Sequence, residues 1–157
     1  MPVDYIAKTR GAYPDQPPYQ WSKFDTSPWT PMTKPLSRCR ISIVSSGGVH
    51  LKSQPPFDGE KNDLTFREIP KNVDVASLMI THNHYDHRDA DRDVNCIFPI
   101  ERFRDLEKEG FIGELAPTSY TLMGRIFRRT ALLQEMAPYL LRRLKEEAVD
   151  ALFMVPA

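Results

Sequence analysis

Residues 79–93 read MITHNHYDHRDADRD and hold three of the four histidines in the chain. His82, His84 and His87, interleaved with Asp86, spell H-x-H-x-D-H. Two chemistries use such a group. Imidazoles two residues apart on an extended segment lie on one side, so His82 and His84 could grip one divalent metal while Asp86 and His87 turn toward a second. Alternatively, the imidazoles, which titrate near neutral pH, bind substrate or move protons at it. A lone histidine at a strand end is most simply a hydrogen-bonded loop residue. Three between positions 82 and 87 favour chemistry.

The elements that must position them follow from hydrophobic pattern. Residues 75–80 (VASLMI) form a short apolar run that ends directly at the cluster. Residues 40–45 (RISIVS) form another, ending in Ser46, Gly47 and Gly48, as a buried strand entering a tight turn would. Residues 150–155 (DALFMV) form a third, stopped by Pro156. None alternates cleanly between apolar and polar, which suits strands covered on both faces in a parallel sheet. Between them, Pro99 opens a helix with Ile100, Phe103 and Leu106 on one face and Gly110 as its stop. A second helix is expected over about 130–147, with Leu133, Ala137, Leu140, Leu141 and Leu144 along one stripe and a kink at Pro138. Strands separated by helical crossovers define an α/β fold: a three-layer, flavodoxin- or Rossmann-like domain with a mostly parallel sheet.

Residues 1–36 are of another kind. Six prolines from Pro14 to Pro35 interrupt regular structure, while Tyr13, Tyr19, Trp21, Phe24 and Trp29 supply apolar bulk that a disordered linker seldom carries. The expectation is an extended arm over 1–36, laid on its own domain or a partner, and an α/β domain over 37–157. Twenty-one basic and twenty-one acidic residues balance, so no bulk field points to nucleic acid or an anionic membrane. No apolar run approaches the ~20 residues of a membrane span, and the first residues lack a signal-peptide pattern. Cys39 and Cys96 are too far apart for a C-x-x-C motif. A cytoplasmic protein with free thiols is expected, Cys96 as a small buried one.

The H-x-H-x-D-H spelling is shared with metallo-β-lactamase-like hydrolases, but their downstream histidine ligands have no counterpart after His87. Zinc held by His82, His84, Asp86 and His87 is therefore the alternative. A second resemblance covers more of the chain. SSGGVHLKSQPPF at 45–57, FREIP at 66–70, THNHYD at 81–86, DVNCIFPIER at 93–102, EGFIG at 109–113, RLKE at 143–146 and the closing Val155 and Pro156 stand in order. Together they resemble the selenoprotein B family of glycine, sarcosine, betaine and D-proline reductases, above all the D-proline reductase branch.

That resemblance implies reductive cleavage of a carbon–nitrogen bond in a small amine or amino acid, with electrons from a dithiol donor. It implies a pyruvoyl group on a partner subunit and a selenocysteine or cysteine nucleophile on this one, within a U/C-x-x-C motif after a strand ending in Val-Pro. Here that position falls just after Ala157, so no cofactor is expected within the chain itself. A selenocysteine codon read as a stop would leave the amino-terminal half of a longer subunit. A natural short paralogue with only a binding role is the competing account. The site expected on this basis pairs a substrate-binding turn, Ser45, Ser46, Gly47 and Gly48 with His50, against His82, His84 and Asp86. The turn's N–H groups would hold a substrate carboxylate, and the histidines would protonate the departing amine. The sheet's uncovered last strand favours a homo- or hetero-oligomer.

Overall fold

The computed structural model describes residues 5–12, 14, 25–27, 30–60 and 62–157. They fall into two units, Met1–Met32 and Thr33–Ala157. In the first, helix α1 (Tyr5–Ala12) lies within what reads as an extended arm. The arm's aromatic residues Tyr13, Tyr19, Trp21, Phe24 and Trp29 lie outside the described residues.

The second unit is organised around β1 (Arg40–Ser45), which is buried from Ile41 onward. Its alternate residues face two separate apolar clusters. Ile41 and Ile43 pack with Phe98, Ile100 and Phe103, whereas Val44 packs with Tyr120 and Leu144. Apolar material on both faces gives a strand no solvent side, and three layers result.

Two short strands, β5 (Glu114–Leu115) and β6 (Thr118–Leu122), run parallel along one edge of β1. Strand β7 (Ala151–Val155) runs parallel along the other, in register from Ile41 opposite Ala151 to Ser45 opposite Val155. Strand β3 (Phe66–Pro70) extends the sheet beyond β6 in the antiparallel sense. The expected α/β domain is present, with an antiparallel strand added to its parallel core.

Residues 75–80 depart from expectation. Val75–Ser77 form a 3₁₀ turn capped by the Asp74 side chain, and only Leu78–Ile80 are extended, as β4. This strand pairs antiparallel with β2 (Val49–Leu51) in a separate two-stranded sheet, with His50 opposite Met79. It still delivers the histidines from its carboxyl end.

The helices lie on both faces. Helix α3 (Ile100–Lys108) starts after Pro99, buries Ile100 and Phe103, and gives way to Gly110 at φ +71°. A short helix α2 (Arg88–Arg92) precedes it. The last helical run comprises α4 (Arg129–Ala131), a π-helical stretch Leu132–Met136 and α5 (Ala137–Glu146). The kink expected at Pro138 takes the form of this π stretch, in which the Ala137 N–H bonds to Leu132 O. The extra residue per turn accommodates a proline that has no N–H to give. It also shifts the helical phase. Met136 and Leu144 are buried, whereas Leu133 and Leu141 of the expected stripe are 69% and 51% exposed. No helix among the described residues is long and apolar enough to cross a membrane.

Candidate functional site

Four chain segments meet at the carboxyl end of β1. The turn Ser45, Ser46, Gly47, Gly48 leaves the strand itself. Beyond β6, Met123 bridges to Gly47, and the Gly124 N–H donates to Ser46 O at 3.1 Å. From β7, Val155 O accepts the Ser46 N–H at 3.0 Å, and the Ala157 N–H reaches Ser46 Oγ at 2.9 Å. From β4, the Thr81 N–H donates to Gly48 O at 2.9 Å. This is where open α/β sheets place ligands, outside the carboxyl ends of their strands.

Gly48 makes the last contact possible. It sits at φ +69°, and a Cβ there would lie 2.4 Å from Thr81 O and 3.1 Å from His82 Cβ. Only glycine adopts this conformation cheaply and leaves room for the histidine segment to dock. Tyr85 adds a second fastening, its hydroxyl donating to Gly47 O at 3.0 Å. The expected turn and most of the expected histidine motif are therefore brought together, and Tyr85, not among the residues singled out from sequence, joins them.

The histidines are not equivalent. His82 is 6% exposed, and its Nδ1 accepts the His84 N–H at 3.1 Å. An accepting Nδ1 leaves the neutral ring's proton on Nε2. That Nε2 is buried and has no hydrogen-bond partner. The Tyr85 and His84 rings stand edge-on to it at 4.6 and 5.8 Å between centroids. Burial first, then the neighbouring His84 and His87, hold the His82 pKa below its usual 6.5. The site thus presents a neutral imidazole with an unsatisfied N–H donor. Burial, and then Asp91, push the Tyr85 phenol up to about 12, so it stays protonated and serves as a donor.

The other candidates have different surroundings. His84 is exposed, with Nε2 on Gly59 O at 3.2 Å. Asp86 is exposed and bound to the Arg88 guanidinium, which holds its carboxyl at about 2. It orients Arg88 rather than a histidine. His50 is fully buried in β2, with Nδ1 on Leu51 O and Nε2 on Thr81 Oγ1, both at 2.8 Å. With both nitrogens engaged, it fixes Thr81 and so the entry to the histidine motif; it has no nitrogen free for substrate.

The Ser46, Gly47 and Gly48 N–H groups already donate to Val155 O, Ser45 Oγ and Leu122 O. Ser45 Oγ in turn donates to Ile97 O at 2.6 Å. His82 and His84 engage backbone groups, while His87 Nδ1 pairs with Asp91 at 2.8 Å and Asp86 with Arg88. No group of three or more His, Cys, Asp or Glu side chains among the described residues is arranged to hold a metal. A cleft of about 530 Å³ shares Asp91 with this cluster and is lined also by Lys52, Met79, Ile80, Asp93 and Glu101. Cys39 is buried, but Cys96 is exposed in a one-turn 3₁₀ segment, contrary to the buried thiol expected.

An α/β domain with a protonable cluster docked on a glycine turn at its sheet edge is the class that fold and site define. The family model for glycine/sarcosine/betaine reductase selenoprotein B (GRDB) matches residues 5–157. The chain belongs to that family. It is 40% identical over 126 residues to the D-proline reductase subunit gamma of Acetoanaerobium sticklandii, which covers 80% of this chain and 52% of that subunit. It is 27% identical to the glycine reductase complex component B subunit gamma of Symbiobacterium thermophilum, over 97% of this chain and 36% of the relative. Against the sarcosine reductase complex component B subunit beta of Peptoclostridium acidaminophilum, identity is 32% over 62% of this chain and 23% of the relative. The chain thus spans about half the length of the D-proline reductase subunit and smaller shares of the others. No solved structure matches it.

Proposed function

We propose that this chain forms the part that hydrogen-bonds the departing nitrogen in a selenol- or thiol-dependent reductase subunit that cleaves a carbon–nitrogen bond in a small amine or amino acid. The observation that carries the reading is the meeting of three strand ends. The His82 segment after β4, the glycine turn after β1 and Ala157 after β7 converge at one edge of the sheet. A selenolate or thiolate on chain continuing from β7 would begin beside Ser46, across the turn from His82. Such a nucleophile is ionised near neutral pH and suited to attack at carbon.

In the overall reaction the carbon–nitrogen bond breaks, and nitrogen and carbon each gain hydrogen. The two electrons come from a dithiol, which becomes a disulfide. A pyruvoyl carbonyl on a partner subunit would supply an electrophilic anchor for the substrate nitrogen. The unpaired, buried His82 Nε2–H fits a role toward an adduct of that kind, as a hydrogen-bond donor to the departing nitrogen, which takes its proton from solvent. Tyr85 and Gly48 hold the His82 segment to the turn. Family membership supports the reaction class, and the names of the relatives support an amino acid or N-methylated amine as substrate.

The test is to express the reading frame through and beyond the codon after Ala157 together with a pyruvoyl-bearing partner subunit. D-proline, betaine, sarcosine and glycine are then supplied with dithiothreitol. Consumption of one of them with stoichiometric dithiol oxidation supports the reading. Loss of none of the four, or loss without dithiol oxidation, overturns it.

A further inference from the structure

Strand β7 pairs with β1 along one side, and no described residue pairs with its other side. Its sequence, Ala-Leu-Phe-Met-Val, is wholly apolar. Leu152, Phe153 and Met154 are nevertheless 42%, 46% and 68% exposed. Natural edge strands are protected by a lysine, a proline, a bulge or a covering loop, and β7 carries no charge or proline. Its residues are those of an interior strand. Phe153, opposite Ile43, lies on the α3 side, where its ring meets Phe103 at 4.9 Å between centroids. Leu152 and Met154, opposite Ser42 and Val44, lie on the α5 side. The unfinished surface therefore includes an edge and both faces.

We propose that the free edge of β7 is completed by the part of a selenoprotein B-type subunit that this chain does not span, which adds a strand to β7 and covers both of its faces. Two observations select this occupant. The D-proline reductase subunit gamma is matched over only 52% of its length, leaving a comparable length of polypeptide to place. A second copy of this chain, pairing edge to edge about a twofold axis, would satisfy the β7 backbone but brings no new layer for the apolar side chains above and below it. A continuing α/β segment supplies strand and covering helices together. The inference rests on family membership and on the exposure of β7, not on the proposed reduction, so its test involves no turnover.

The test compares this chain alone with a fusion in which Ala157 continues into the portion of the Acetoanaerobium sticklandii subunit that follows its matched stretch. That portion is also supplied as a separate polypeptide. Amide hydrogen exchange is followed at 151–155. In the chain alone, the amides of β7 not bonded to β1 should exchange at near-unprotected rates. In the fusion they should slow by about tenfold or more. The separate polypeptide should co-purify with the chain, and Met154→Lys, at a solvent-exposed position, should abolish capture while leaving the chain's own melting temperature unchanged. Unchanged β7 exchange in the fusion would overturn the proposal. So would protection of the chain alone that rises with its concentration, which marks a second copy as the occupant. Protection already complete in the monomer would also overturn it, assigning the edge to the chain's own amino-terminal residues.

Discussion

Replacing Gly48 with alanine tests whether the glycine turn docks the histidine motif. The residue sits at φ +69°, where an L side chain costs on the order of 1 kcal/mol. The added Cβ would lie 2.4 Å from Thr81 O, a backbone atom that cannot rotate away. Relief requires β4's end to recede, which lengthens the 2.9 Å bond from the Thr81 N–H to Gly48 O and weakens the Tyr85 bond to Gly47 O. Each lost hydrogen bond adds about 1 kcal/mol. The total is about 2–4 kcal/mol, a large fraction of the roughly 5–15 kcal/mol that holds a domain together. Urea unfolding of wild type and Gly48→Ala should show that difference at an unchanged m-value. Amide exchange at residues 81–85 should rise in the folded variant. A difference under about 0.5 kcal/mol, the range of an ordinary surface substitution, with unchanged exchange at Thr81, would refute the docking argument.

Tyr85→Phe removes only the hydroxyl bonded to Gly47 O and should cost about 1 kcal/mol, read by thermal unfolding, with faster exchange confined to the 81–87 segment. Leu144→Ala opens the cluster it shares with Val44 and Tyr120 and should cost about 2–4 kcal/mol in denaturant unfolding. His82 should titrate below 6.5 in an NMR pH series because burial disfavours its cation. Since the unfolded chain then binds the proton more readily, this residue's contribution to stability is complete above pH 6.5. It is lost as pH falls from there through the folded value. Asp86 behaves with the opposite charge type and the same direction of loss. Its folded pKa of about 2 means that its contribution is present above the ordinary 3.8 and disappears as pH falls through 2, and Arg88→Ala should bring its titration back toward 3.8.

The strands most legible in the sequence were those with a continuous apolar or β-branched run. Residues 40–45 and 150–155 are β-branched or apolar runs, and they are the central strand and its parallel neighbour. Strand β6, Thr-Ser-Tyr-Thr-Leu, was not legible, because its hydroxyls look like solvent-facing groups. Buried Thr121 instead donates to Val49 O, and Ser119 Oγ accepts from the Ile43 N–H, so local partners offset the cost of burial. Residues 75–80 carry the composition of a central strand, yet Asp74 caps a 3₁₀ turn that takes up half the run. Leu133 of the expected stripe was misplaced for a geometric reason, since five residues of π-helix put the residues upstream of Ala137 out of phase with α5. At the site, the type and spacing of the histidines marked the segment, but not which ring is buried. That distinction depends on Gly48 and Tyr85, whose contacts cross 33 and 38 positions of sequence and leave no local pattern.

The most direct measurement concerns His82 in the complete reductase carrying this chain's residues. His82→Phe keeps a ring but removes the Nε2–H donor. Single-turnover cleavage of the carbon–nitrogen bond should slow by about 10-fold or more, the worth of one buried hydrogen bond made in the transition state, with the substrate's KM little changed. His84→Gln, at an exposed position, should slow it much less. Cleavage by the His82 variant at near wild-type rates would contradict the account, because it would show that the buried imidazole at the sheet edge takes no part in the chemistry.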